Sequence, residues 1–176
     1  MKRSSVRLFV GAASAMCLAT GVAAAQQVTI NKVSAQGIGE KIGTIDVSQS
    51  KKGVVFKVNV TGISAGKHGF HLHEKGDCGV ASKDGAPVAG LAAGPHYDPA
   101  ATKSHKGPAG MGHQGDLPVL TATAKGISQT VTAPRLKLRD VQGRSLVIHE
   151  GGDNYSDTPE NGGGKGRIAC GVVPKG

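Results

Sequence analysis

The sequence predicts an all-β fold: an antiparallel sandwich or flattened barrel of eight short strands carrying two long loops. Three observations support this. Helix periodicity is nearly absent from the chain. Apolar and polar residues alternate over short stretches, the period of a strand with one buried face. Gly, Asn, Asp and Pro punctuate the stretches, as turns between strands require.

In chain order the expected strands are Val28–Ala35, Ile42–Gln49, Gly53–Thr61, Gly69–Glu74, Leu117–Ala124, Gln129–Ala133, Ser145–His149 and Ile168–Val173. Gly53–Thr61 is the clearest: Val54, Phe56, Val58 and Val60 point one way, Lys57 and Asn59 the other. The segment Gln49–Gly53 (QSKKG) reads as a hairpin turn between the second and third strands. The alternating run Arg135-Leu136-Lys137-Leu138-Arg139 puts three cations on one side and reads as a solvated strand face. No internal repeat is present. Residues 75–116 and 150–166 contain no convincing strand. Connections above ~12–15 residues are usually functional or disordered, and both loops are read as functional.

The first 25 residues read as a leader rather than as part of the fold. Lys2, Arg3 and Arg7 precede an apolar stretch of small residues, and Ala23-Ala24-Ala25 supplies an A-x-A cleavage pattern. The apolar run is shorter than the ~20 residues of a spanning helix. Lys2-Arg3 is not a twin-arginine pair, and Cys17 is discarded with the leader. Cleavage leaves residues 26–176 as one domain and takes the net charge from +9 to +6. That balance favours anionic partners or simply keeps the chain soluble. With only five aromatics in the chain there is little for base stacking, so no nucleic-acid partner is expected. No membrane partner is expected after cleavage. An exported chain meets an oxidising compartment, where the two remaining cysteines, Cys78 and Cys170, are expected to pair.

Six of the seven histidines fall into a pattern that suits metal binding. His71 and His73 lie two apart on a strand and therefore face the same side. His149 ends another strand and can add a third imidazole. His96, His105, His113 and Asp116 lie in the first long loop, separated by eight, seven and two residues. Three nitrogens and a carboxylate suit tetrahedral zinc, and with four protein ligands such a site is structural.

These residues sit within His71-Leu72-His73-Glu74, Gly94-Pro95-His96-Tyr97-Asp98-Pro99, Gly112-His113-Gln114-Gly115-Asp116-Leu117-Pro118, His149-Glu150-Gly151-Gly152-Asp153-Asn154 and Gly166-Arg167-Ile168-Ala169-Cys170-Gly171. In that order, from about residue 28 onwards, they resemble the copper/zinc superoxide dismutases, most of all the exported bacterial type. The resemblance implies a Greek-key barrel and a periplasmic antioxidant enzyme that converts superoxide to dioxygen and hydrogen peroxide. It implies one copper on His71, His73, His96 and His149, and one zinc on His96, His105, His113 and Asp116. His96 then serves both ions, and passes on a proton during turnover. Arg167 docks the anion, Asp153 links a copper histidine to a zinc histidine, and Cys78–Cys170 is the family disulfide. His68 takes a structural role without metal. A homodimer is compatible with the family. The alternative is a non-catalytic copper/zinc-binding carrier on the same fold; the presence of both His149 and Arg167 favours the enzyme.

Overall fold

The computed structural model describes residues 25–176. The expected leader therefore lies, except for Ala25, outside the described residues. The strands are β1 (Gln26–Ser34), β2 (Gly37–Ser50), β3 (Gly53–Val60), β4 (Gly66–His68), β5 (Phe70–His73), β6 (Ala81–Lys83), β7 (Ala86–Val88), β8 (Leu120–Ala122), β9 (Ile127–Ala133), β10 (Ser145–His149) and β11 (Arg167–Val172). Seven of them form one curled antiparallel sheet in the order β5-β10-β11-β1-β2-β3-β9, and β4 pairs with β8. β5 lies within the expected strand Gly69–Glu74, whereas β4, just before it across Gly69, lies outside every expected strand. β4 pairs with β8 and β5 with β10, which brings the two ends of the sheet together. Gln129 of β9 helps close the gap by accepting a hydrogen bond from the Thr121 amide of β8 at 2.9 Å. All eight expected strands are present, in an order consistent with a Greek-key barrel.

The period-two reading of β3 holds. Val54, Phe56, Val58 and Val60 are fully buried, while Lys57 and Asn59 are exposed. Phe56 meets Phe70 of β5 edge-to-face at 5.6 Å, an arrangement worth about 0.5–1.5 kcal/mol beyond the area it buries. The β2–β3 hairpin turns at the expected place, pairing Ser50 with Gly53. Among the described residues no helix is long and apolar enough to cross a membrane.

Two expectations need correction. The first long loop does contain strands, the short hairpin β6–β7. Its turn residues Asp84 and Gly85 both have positive φ, 53° and 80°, as a two-residue turn matched to strand twist requires. The dipeptide Asp84-Gly85 is a legible turn signal, but the flanking strands are too short to show alternation. The run Arg135–Arg139 is not a strand face. Leu136 is buried, Leu138 begins a single helical turn (α1, Leu138–Val141), and Arg135 reaches into the first long loop. Five alternating residues cannot distinguish a strand from an extended link.

Cys78 and Cys170 form the expected disulfide, with Cα atoms 5.7 Å apart. It sits in a small apolar cluster with Val33, Ala93 and Val147 and fastens the first long loop to β11.

Candidate metal centre

All four residues of β5 are buried, because β5 lies between the barrel core and the long loops. Phe70 and Leu72 face the core, and His71 and His73 face the loops. The peptide of Leu72 then organises its surroundings. Its N–H donates to Gly115 O at 2.9 Å, and its carbonyl accepts from Tyr97 N at 2.8 Å. Gly115 N donates to Tyr97 O at 2.8 Å. Three segments are thereby laced together: β5 with His71 and His73, the stretch with His96, and the stretch with His113 and Asp116. Only glycine fits at 115, since a Cβ there would lie 2.2 Å from Leu72 O. His149 arrives from the neighbouring strand, its ring centroid 4.8 Å from that of His71.

Three groups of donor atoms result, each within a 4.8 Å span; the smallest, His71, His105 and Asp153, joins the two four-residue groups. The first of these two is His71, His73, His96 and His149; the second is His96, His105, His113 and Asp116. His96 belongs to both. Its Nδ1 lies 3.1 Å from Asp116 Oδ1, which leaves Nε2 for the first group.

Outer hydrogen bonds set the imidazole protons. His71 Nε2–H and His105 Nε2–H donate to the two oxygens of Asp153, each at 2.8 Å. His73 Nδ1–H donates to Gly94 O at 2.8 Å. A neutral ring protonated on its outer nitrogen turns a lone pair inward. The Nδ1 atom of His71 is buried and without a hydrogen-bond partner, which is costly unless a cation satisfies it. Around Asp116 Oδ1 stand His105, His96 and His113 Nδ1 at 3.0, 3.1 and 3.2 Å. Tetrahedral zinc with bonds of ~2.0 Å needs ligand separations of about 3.3 Å, so the second group fits it. The first group offers four nitrogens, a set suited to Cu(II).

Burial, followed by the neighbouring imidazoles, holds His71 well below its ordinary pKa. Burial and the charge of His96 hold His149 down to about 3. His105 moves the other way: burial would lower it, but the carboxylates of Asp116 and Asp153 outweigh burial and raise it to about 9. These shifts predict a stability profile for the metal-free protein. Between pH 3 and 6.5 the unfolded chain protonates a His149 that the fold keeps neutral, so stability rises with pH. Between 6.5 and 9 the fold keeps a His105 proton that the unfolded chain releases, so stability falls. Thermal unfolding of the metal-free chain should therefore peak near pH ~6.5, and a monotonic profile across this range would contradict the assignment.

Arg167, the first residue of β11, lies beside the first group. Its guanidinium donates to the carbonyls of Gly90 and Gly94, the latter at 2.7 Å. With His73, His96, His149, Lys83 and Lys165 it lines an open cavity of about 720 Å³. His68 stands outside both donor groups, its ring nitrogens 2.8 Å from His149 O and 2.9 Å from Ser64 O.

The histidines of both groups, Asp116, Asp153 and Arg167, all expected from the sequence, are thus brought together. Two further residues were not anticipated. Lys83 reaches the cavity only because the β6–β7 hairpin folds over it. Arg135 donates to Gly112 O at 2.8 Å and His113 O at 3.2 Å, and so steadies the turn that carries His113. Neither has a local sequence signature, because each acts on residues distant in the chain.

A curled antiparallel barrel with two histidine-rich donor groups joined by one imidazole defines a dinuclear metal protein. The family model for copper/zinc superoxide dismutase matches residues 41–173. A copper–zinc superoxide dismutase of Brucella abortus is 49% identical over 166 residues, covering 92% of this chain and 96% of its own. One from Escherichia coli K12 is 44% identical over 177 residues, covering 98% and 99%. The solved Brucella abortus enzyme superposes with a TM-score of 0.83, covering 85% of this chain and 99% of that one. This chain belongs to the copper/zinc superoxide dismutase family.

Proposed function

We propose that the protein dismutes superoxide in the periplasm, with residues 1–25 directing export and residues 26–176 forming the working domain. In this reading His71, His73, His96 and His149 hold copper, and His96, His105, His113 and Asp116 hold zinc. The observation that carries the reading is the single imidazole of His96, shared by two donor groups of different chemistry beside a fixed guanidinium.

Bound copper supplies one-electron redox chemistry, by which one superoxide is oxidised to dioxygen and a second, taking up two protons, is reduced to hydrogen peroxide. The chain's own residues do the rest. Arg167, held by two carbonyls, pairs with the anion and needs no reorganisation as it does so. Lys83 and Lys165 on the cavity wall add positive potential, which raises the encounter rate. Whenever its Nε2 is not engaged by copper, His96 would hold a proton there and deliver it to the reduced anion. Asp153 fixes the tautomers of His71 and His105, one from each group.

Protein loaded with both ions is expected to hold one copper and one zinc and to turn over superoxide only when copper is present; copper-independent turnover would overturn the reading. In the same assay Arg167→Ala should lower kcat/KM about ten- to a hundredfold, the loss of one charge-assisted hydrogen bond of ~1.5–3 kcal/mol, with copper content unchanged. The wild-type rate should fall as salt screens the cavity's field, and that salt dependence should weaken in the variant.

A further inference from the structure

We infer, resting on the zinc assignment above, that Asp157 is a positioning residue for His105 and ties the wall of the substrate cavity to the zinc loop. Its carboxylate accepts from three consecutive residues of the first long loop. Oδ1 takes the main-chain N–H of His105 at 2.5 Å; Oδ2 takes Ser104 Oγ at 3.1 Å and Lys106 Nζ at 2.8 Å. Asp153, four residues earlier in the second long loop, already holds the His105 ring. His105 is therefore gripped at backbone and ring by one short segment, which turns its Nδ1 toward Asp116 Oδ1, 3.0 Å away in the second group.

The segment is built for this separation. Tyr155, midway between the two aspartates, adopts a left-handed φ of 58°, donates its N–H to Asp153 Oδ1 at 2.7 Å, and accepts Val119 N at its hydroxyl at 2.9 Å. Gly162 folds back over Asp153 so closely that a Cβ would lie 2.1 Å from Oδ1. Immediately after Asp157, Pro159, Glu160 and Asn161 line the cavity. The His105 backbone is thus coupled to the cavity wall through the Asp157 carboxylate, and its ring through Asp153. The ion pair with Lys106 is about half exposed at both partners and contributes little by itself. The weight falls on the charge-assisted bond to the His105 amide.

The test uses the full mature protein with cobalt(II) or zinc added to the second group. Asp157→Ala should weaken zinc about ten- to a hundredfold in chelator competition, as loss of a partner behind a metal ligand does. It should also change the cobalt visible absorption bands and speed amide exchange in residues 158–164. Asp157→Asn keeps an acceptor for the His105 N–H and should fall between; it also carries the comparison if the alanine variant does not fold. Lys106→Ala should leave the cobalt bands unchanged. Zinc affinity within twofold of wild type together with unaltered cobalt bands in Asp157→Ala would overturn the inference while leaving the zinc assignment intact. Failure of the wild-type protein to take up cobalt or zinc at all would overturn the assignment, and the inference with it.

Discussion

Replacing His96 with glutamine will lower dismutation about 10²–10⁴-fold, the range expected when a positioned proton donor is removed, and will weaken both metal sites in the same molecule. His96 is the one side chain whose two faces address two donor groups, with Nδ1 beside Asp116 and Nε2 left for His71, His73 and His149. A glutamine amide has one good ligand atom and no titratable proton, so it can serve at most one group. Metal analysis should show loss of zinc or copper below one equivalent under dilution. The copper EPR spectrum should become insensitive to added zinc, because no common ring couples the two. Near-wild-type turnover with both ions retained would mean that the shared imidazole is not the centre of the site.

The second large effect is expected on removal of the disulfide. Changing Cys78 and Cys170 together to serine opens a loop of 92 residues and should cost about 4–5 kcal/mol in the chain-entropy account. Globular domains have only about 5–15 kcal/mol in total, so the denaturant midpoint should fall steeply. A functional loss should accompany it. The carbonyls that hold Arg167, those of Gly90 and Gly94, belong to the loop that Cys78 anchors, and Cys170 lies on the same strand as Arg167. Released from its anchor, the loop should let the guanidinium wander, and activity per folded molecule should drop under conditions where copper stays bound. A midpoint shift worth less than about 1 kcal/mol would show that loop closure is not what the bridge contributes.

Much of this molecule is legible in its sequence. The alternation in Gly53–Val60 forecasts both the strand and its buried face, because a pleated backbone places every second side chain on one side. His71 and His73 announce themselves by the same rule. The β6–β7 hairpin is harder to see, since strands of three residues leave no period to detect. The run 135–139 misleads for a related reason. A short alternation records only that Leu136 is buried and Arg135 is not, and both facts are equally true of an extended link.

By itself the sequence determines the donor chemistry: which nitrogens and which carboxylate are available, on strands or on loops, and the one pair of cysteines within residues 26–176. The sharing of His96 and the link through Asp153 are legible only through the family resemblance, and tertiary structure alone decides that Asp157 reaches across to His105 and that Lys83 and Arg135 belong to the site at all. The physical reason is range. Side-chain direction along a strand is set by local backbone geometry, whereas contacts between residues some 50 positions apart exist only once the barrel has closed and the Leu72 peptide has drawn three segments together.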